Sequence, residues 1–427
     1  MQPHLAASLE WVPVVALVVL LATAVGHPRG RIEAVVAVAA AGATMAAGGL
    51  DWVGVRGVVE HLGPVVLFLV TILVVGDVCA KAGVFVRAAG VVARWGKGRP
   101  VVLMSGVFLL AALVTVVLSL DATVVLLMPV VVGAAVASGL SPWPNAHTSL
   151  RMANSASLLL PVSNLTNLLA LHHLRLSFAG FVAAMAPVLA VVLLVEYAAL
   201  RWLFRADLRT SAVEPVAEPV AEPEPVAESV SDQETGFPIV VVGVMLAGFV
   251  VVGQLDWHPF WVSGAAAVVL VAWARTRALV VGRDVLGAAH PGFAVLVLAL
   301  GIVVAALADG ALGDLVRHAL PGSTSYAGLL LISLVATLLS ALVTNLSATL
   351  LLVPMLEPLG TVAVLAALLG LNIGSGLTWT GSLANLLWRR GLKRLDLAPT
   401  TWHFHRVSLV VTPLSLVAGV TVLALLH

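Results

Sequence analysis

Long apolar stretches, separated by short polar ones, run through most of the chain. Each stretch approaches or exceeds the roughly 20 residues that an α-helix needs to cross about 30 Å of hydrocarbon. They lie at about 11–26, 32–50, 64–80, 101–120, 122–140, 146–172 and 179–203, and then at 237–255, 259–275, 292–308, 325–343, 348–366, 368–392 and 404–426. The pattern predicts an all-α polytopic membrane protein with seven apolar stretches in each half.

A polar segment separates the two halves. It contains a run in which Glu214, Glu218 and Glu222 alternate with prolines. Proline blocks helix and sheet, and repeated glutamate opposes collapse, so the segment is expected to be disordered. The sequence thus predicts a first repeat at 1–205, a disordered Pro/Glu-rich linker at 206–236 and a second repeat at 237–427.

Two junctions between apolar stretches have no polar loop that could reach water. The first is Leu120-Asp121-Ala122, and the second lies within 344–349. Each junction is better interpreted as the tip of a re-entrant hairpin than as a loop between two spans. Each half then has about five transmembrane helices, one re-entrant hairpin and one broken helix. Because five is odd, the second half must lie upside down relative to the first, which predicts an inverted repeat.

The basic residues predict the orientation. Of 22 Lys and Arg residues, only Arg56, Arg175 and Arg317 fall outside when both termini are placed outside. The others, Arg151 among them, are assigned to the cytoplasmic side, as the positive-inside rule requires. We therefore expect a plasma (inner) membrane protein with outer termini and a cytoplasmic linker. The first hairpin would enter from the cytoplasm and the second from the exterior, with their tips approaching each other near the midplane.

Composition excludes several classes of function. The chain is 61% apolar and 10% charged, whereas soluble domains are about a quarter charged. A net charge of +1 without a basic tract argues against nucleic-acid binding. The single cysteine, Cys79, excludes an intrachain disulfide and a multi-thiolate metal cage. There is no phosphate-binding GxxxxGK[ST] loop, and we expect no enzymatic activity, metal or cofactor.

Polar residues interrupt one apolar stretch in each half. In the first half they surround Pro161, which disfavours helix at and before its own position. In the second half Gly374, Gly376 and Gly381 weaken the helix instead. Broken helices leave ends that bind ions or polar solutes. Packing through small residues is the alternative, but two clusters in corresponding positions favour a binding site.

The predicted substrate-binding residues come from both tips and both breaks. The tips supply Thr123, Asn345, Ser347 and Thr349; the breaks supply Asn154, Ser155, Ser163, Asn164, Asn167, Ser375, Thr378, Thr380 and Ser382.

Asp121 is the main candidate for proton coupling. A carboxyl group at a hairpin tip is paired, coordinates a cation or is protonated, which suits a group that takes up and releases protons. A helix N-cap is the alternative role, and the two are compatible. The corresponding residue of the second tip, Asn345, is neutral. Asp77 and Asp309 end the third stretch of each half and are further candidates for the proton path, although gating or capping also fits them.

Several strings along the chain match a known family. They are Arg94-Trp95-Gly96-Lys97-Gly98-Arg99, Asp121 followed by Pro129, Ala156-Ser157-Leu158, Ser163-Asn164-Leu165-Thr166-Asn167 and Gly381-Ser382-Leu383-Ala384-Asn385-Leu386-Leu387-Trp388. At these positions the chain resembles the ArsB-type arsenite/antimonite efflux permeases of the ion transporter superfamily. The resemblance implies a proton-antiporting exporter of arsenite or antimonite, with a cytoplasmic ATPase subunit as a candidate partner.

The chain departs from this family at two positions. Thr344-Asn345 replaces two asparagines, and Trp379 stands where proline is usual. The sodium–dicarboxylate symporters of the superfamily carry Ser-Asn-Thr at both tips. Here the strings are Leu120-Asp121-Ala122-Thr123 and Asn345-Leu346-Ser347, so the match to a sodium site is poor.

The polar residues also bear on the substrate directly. Arsenite at neutral pH is an uncharged trihydroxide, which amides, hydroxyls and freed backbone groups can bind without a fixed positive charge. A dicarboxylate would require basic residues or bound cations, and the sequence places no basic residue at membrane depth. The leading hypothesis is arsenite/antimonite export in exchange for protons. The alternatives are a sodium/proton antiporter or anion (dicarboxylate-like) symporter of the same superfamily, and a membrane hydrolase using Asp77 and Asp121.

Overall fold

The computed structural model describes residues 11–26, 30–96, 98–209, 232–255 and 257–427, and it is all-α within them. The first half contains α1 Val12–Gly26, α2 Gly30–Ala46, α3 Trp52–Lys81, α4 Val84–Gly96, α5 Pro100–Val117, α6 Leu120–Ala137, α7 Trp143–Ser155, α8 Leu165–Leu171 and α9 Phe178–Leu203. The second half contains α10 Asp232–Val252, α11 Phe260–Thr276, α12 Gly282–Ala288, α13 Pro291–Ala308, α14 Ala311–Ala319, α15 Tyr326–Val343, α16 Asn345–Leu356, α17 Thr361–Asn372, α18 Leu383–Arg394 and α19 Thr401–Leu426.

Eight helical segments of the described part are long and apolar enough to cross a membrane. They are Trp52–Lys81, Pro100–Val117, Leu120–Ala137, Phe178–Leu203, Thr235–Val252, Gly282–Ala308, Tyr326–Val343 and Thr401–Leu426. The prediction of an all-α polytopic membrane protein is therefore confirmed. Most of the predicted linker, from 210 to 231, lies outside the described residues.

Local sequence signals set where the long helices begin. Asp51 caps α3 by accepting a hydrogen bond from the Gly54 amide at 2.8 Å. Ser177, Ser325 and Thr400 cap α9, α15 and α19 in the same way. Side-chain oxygens at these positions satisfy amides that have no partner inside the helix.

Helices α5 and α6 form the first hairpin, with the short connection expected from the sequence. Ser119 Oγ accepts a hydrogen bond from the Ala122 amide at 3.2 Å and so caps α6. A π-helical turn at Thr123–Leu127 follows directly. Pro129 lacks the amide that would continue regular helical bonding here, which accounts for the widened turn.

Helices α15 and α16 form the second hairpin. Its tip residue Thr344 has φ of +72°, a strained conformation for a residue with a branched side chain. The apolar stretch predicted at 348–366 is two helices, since α16 ends at Leu356 and Gly360 turns the chain with φ of +91°. Pro358 and Gly360 supply this turn, which the continuous apolar pattern concealed.

The long helices of the two halves interlock. Helix α2 of the first half packs along α13 of the second half. Helix α3 of the first half packs along α11 of the second half. Helix α9 packs along α19. Each hairpin also contacts its own broken helix, through α5 with α7 and α15 with α17. Each hairpin therefore packs beside the break of its own half.

Contacts join loops that the sequence assigns to the same side. On the predicted cytoplasmic side, Lys81 Nζ lies 3.5 Å from Asp284 Oδ2 and Ser141 donates to Asp207 at 2.7 Å. On the predicted outer side, His173 Nδ1 lies 2.7 Å from Glu357 Oε2. These contacts are compatible with the predicted order of crossings.

Candidate functional site

The first break lies between α7 and α8. Helix α7 ends at Ser155, the chain is extended at Leu160, and Asn164 caps α8. Asn167 Nδ2 donates to the carbonyls of Ser157 at 2.7 Å and Leu160 at 3.2 Å. The buried amide of Asn167 thus satisfies carbonyls that the break removes from helical bonding.

The second break, between α17 and α18, has the same construction. Helix α17 ends at Asn372, the chain is extended at Thr378, and Ser382 caps α18. Asn385 Nδ2 donates to the carbonyls of Ser375 at 2.8 Å and Thr378 at 2.7 Å. Asn385 therefore performs here the function of Asn167 in the first half.

Asn154 connects the end of α7 to the second break. Its Nδ2 donates to Asn385 Oδ1 at 3.0 Å, and its Oδ1 accepts from Ser382 Oγ at 3.1 Å. Ser375 Oγ reaches the same oxygen at 3.5 Å.

Asn372 makes the reciprocal connection from the end of α17 to the first break. Its Nδ2 donates to Asn167 Oδ1 at 2.9 Å. Its Oδ1 accepts from Asn164 Nδ2 at 2.5 Å and Thr166 Oγ1 at 2.8 Å. The pairs 154/372, 164/382 and 167/385 are separated by one constant interval along the chain. We call the buried residues Asn154, Asn164, Asn167, Asn372, Ser382 and Asn385 the amide network.

Both hairpins are hydrogen-bonded to the breaks. Ser163 Oγ donates to the Val116 carbonyl at the end of α5, at 2.7 Å. Thr378 and Thr380 donate to the Ala341 carbonyl near the end of α15, at 3.0 and 3.3 Å. The backbone N–H of Asn345 donates to the Gly381 carbonyl at 2.8 Å. The tips are therefore fixed to the same region as the amide network.

Four of the predicted substrate residues bond within their own hairpin or to a neighbouring helix. The Thr123 hydroxyl lies 2.7 Å from that of Thr115, and the Ser347 hydroxyl 3.2 Å from that of Thr344. Thr349 donates to the Asn345 carbonyl at 2.6 Å, and Ser155 donates to Glu196 Oε1 at 2.8 Å. All four hydroxyls therefore have hydrogen-bond partners within the protein.

Asp121 occupies the first tip as the sequence predicts. Its side chain is half-buried, and its Oδ1 is buried without a hydrogen-bond partner among the described residues. Neighbouring Leu120 and Val124 pack into an apolar cluster with Trp388. A buried carboxyl oxygen without a partner is costly unless it is protonated or binds a ligand.

Arg151, which the sequence analysis assigned to the cytoplasmic side, is buried within the protein. Its side chain is 2% exposed and forms an ion pair with the fully buried Glu196 of α9. Nη1 also donates to Thr412 Oγ1 of α19 at 3.0 Å. The burial of Arg151 inside the protein was not expected from the sequence. A lone arginine in an otherwise apolar and small-residue sequence gave no sign of its partner 45 positions away.

Within the described residues, neither Asp77 nor Asp309 hydrogen-bonds to the amide network. Asp77 Oδ2 is 3.0 Å from Lys81 Nζ at the end of α3, and Asp309 is exposed at the end of α13. Asp77 is thus paired with a lysine at the end of its helix rather than with a second carboxylate.

A cavity of about 260 Å³ lies on the predicted outer side. His61, His173 and Thr349 line it with apolar residues of α3, α13 and α16. The His61 ring is 5.1 Å from that of His172 and 5.7 Å from that of His173. The cavity borders Thr349 of the second hairpin.

Sequence reasoning missed Asn372, Asn385, Arg151 and Glu196 as site residues. Asn372 and Asn385 could have been found by aligning the two halves, because they correspond to Asn154 and Asn167 of the first half. The Arg151–Glu196 contact joins two helices whose spacing no sequence pattern determines, so it required the structure.

Comparisons with known proteins agree with this architecture. The model of the citrate transporter family, CitMHS, matches residues 8–363. The arsenical pump membrane protein of Escherichia coli K12 is 27% identical over 363 residues, covering 80% of this chain and 82% of that protein. The protein of the same description from Yersinia enterocolitica is 26% identical over 365 residues, with the same coverage.

A solved structure shows the same fold. The crystal structure of the Alcanivorax borkumensis YdaH transporter, described as having an unusual topology, aligns with a TM-score of 0.61 and 16% identity. The alignment covers 88% of this chain and 89% of that one.

The prediction of a transporter rather than an enzyme is confirmed. The family match spans more than half of the chain and the resemblance to ArsB-type permeases is confirmed, so this protein belongs to the CitMHS family of transporters.

Proposed function

We propose that the chain exports arsenite or antimonite in exchange for protons. The observation that carries the substrate class is its similarity to arsenical pump membrane proteins over 80% of its length. The amide network supports it, because amides and hydroxyls can bind the three hydroxyl groups of a neutral trihydroxide.

Transport would proceed by alternating access between the two halves. The network residues bond across the two breaks, so substrate would replace some of those bonds when it enters. The equivalent hydrogen bonds of the two breaks support an inverted repeat, in which each break could open to one side in turn. The substrate-binding set would consist of the predicted residues at the breaks together with Asn372 and Asn385.

Asp121 would carry the coupled proton. Its unpartnered Oδ1 lies at a tip whose counterpart in the second half is the neutral Asn345. Proton binding there would change the charge between the breaks without a metal or cofactor. Asp77 and Asp309 would contribute to gating at the two surfaces, and a cytoplasmic ATPase subunit remains a candidate partner.

Everted membrane vesicles test the proposal. When respiration acidifies their interior, vesicles containing the chain should accumulate arsenite, and a protonophore should abolish the accumulation. Vesicles without the chain are the control. Absence of accumulation above that control would reject arsenite export.

An anion symporter is the second candidate. The citrate description of the matching family and the buried Arg151 favour it. Uptake of labelled citrate or succinate, dependent on sodium or protons, would support this candidate. Sodium-driven proton movement without an organic anion would instead indicate a sodium/proton antiporter.

A further inference from the structure

The one buried Lys or Arg among the described residues lies against both breaks. Arg151 is one helical turn before the end of α7, on the same face as Asn154. Its Nη1 is 2.5 Å from the position that a Cβ at Gly376 would occupy, so any side chain there would displace the guanidinium. The guanidinium of the first half therefore touches the backbone of the second break.

This location is electrostatically suited to an anion. The 12-residue helix α18 begins at the same break, and the N-terminus of a helix carries a partial positive charge. Arg151 Nε is buried and has no hydrogen-bond partner among the described residues. A guanidinium with a free donor commonly binds a carboxylate or other oxyanion.

Glu196 opposes such binding. Its Oε1 accepts hydrogen bonds from Arg151 Nη2 and, at 2.8 Å, from Ser155. Its carboxylate cancels the charge of the guanidinium within a region from which water is excluded. Oε2 is buried and without a partner, so the pair is not fully satisfied as a structural element.

We propose that Glu196 determines substrate specificity by neutralising Arg151, so that the site between the breaks rejects anions and accepts a neutral solute. Arg151 is then an anion-binding group that Glu196 keeps occupied. The inference rests on the proposed neutral substrate and explains how a member of a family described as citrate transporters could transport an uncharged one.

Citrate binding by the purified full-length chain tests this role. The shift of the thermal unfolding midpoint with citrate concentration gives an apparent affinity without any transport. Glu196→Gln should bind citrate at least about tenfold more tightly than the original chain, as expected for one newly available charge-assisted contact. Arg151→Gln combined with Glu196→Gln should lose this gain.

Asp314→Asn is the matched control. It frees the exposed Arg317, which lies 3.1 Å from Asp314, and should leave citrate affinity unchanged. Equal citrate affinity of Glu196→Gln and the original chain, or a gain that persists in the double variant, would overturn the proposal.

Folding defects are also decisive. Glu196→Met removes the charge without placing another polar group beside Arg151 and should reproduce the gain. If Glu196→Gln and Glu196→Met both fail to fold while the double variant folds, the Arg151–Glu196 ion pair is structural and the specificity role is rejected. A failure of arsenite transport by the original chain would reject the proposed function but leave the citrate result readable.

Discussion

At the scale of single residues, asparagine amides hold the two breaks in shape. Asn167 and Asn385 each donate to two carbonyls released by a break and accept a bond from the opposite half. Individual side-chain hydrogen bonds in membrane proteins contribute only about 0.6 kcal/mol on average. Each of these two buried amides makes three such bonds, so its contribution to stability is the sum of three.

Replacing either amide should destabilise the fold measurably. Asn167→Ala and Asn385→Ala should each lower the free energy of unfolding by about 2 kcal/mol, since buried carbonyls and an amide lose their partners. Ser138→Ala is the control, because its exposed hydroxyl bonds only the Ala134 carbonyl of its own helix. Denaturation in mild detergent measures the free energy of unfolding of all three variants. Equal effects of Asn385→Ala and Ser138→Ala would contradict the assigned role.

At the scale of elements, glycine allows the second hairpin to approach its broken helix. A Cβ at Gly370 of α17 would overlap the Ser333 carbonyl oxygen of α15. Gly243 of α10 has nothing within 4 Å of such an atom. Small residues at helix interfaces are a general means of close packing in membranes.

The two glycines should therefore respond in opposite ways. Gly370→Ala should cost about 2–4 kcal/mol by forcing α15 from α17, a backbone overlap that no rotamer relieves. Gly243→Ala should be neutral or stabilise the chain by up to about 1 kcal/mol, because alanine favours helix. Thermal unfolding of both variants gives the comparison. Similar midpoints would show that the α15–α17 approach is looser than described.

Much of the arrangement of helices, hairpin tips and breaks could be predicted from the sequence. The hairpin tips and breaks were located because polar residues and proline or glycine interrupt apolar runs at Asp121, Pro161 and Gly376. The turn at Gly360 was missed, since apolar residues continue on both sides of it. The partners of Arg151 were also missed, because contacts between distant helices depend on packing that apolar runs do not encode.

At the scale of the whole molecule, we propose that both termini lie outside and the linker inside. Inter-loop contacts such as His173–Glu357 and Lys81–Asp284 are compatible with that arrangement. An inverted repeat makes the two candidate hairpins open towards opposite sides of the membrane.

Labelling of introduced cysteines tests the orientation. Cys79 is buried, so Cys79→Ala should give a functional background with little change in volume. In that background, an impermeant maleimide should label Ser323→Cys in intact cells. It should label Thr276→Cys only when the inner face of the membrane is made accessible to the reagent. The native side chains of Ser323 and Thr276 are both solvent-exposed. The reverse pattern would invert the proposed topology.

The central claim is that arsenite moves in exchange for protons through Asp121. Proteoliposomes loaded with arsenite and a pH-sensitive dye test it most directly, with protein-free liposomes as the control. Arsenite leaving through the original chain should acidify the lumen, and Asp121→Asn should abolish the acidification while retaining the unfolding midpoint. Arsenite efflux without any pH change, or equal acidification by Asp121→Asn, would contradict the account.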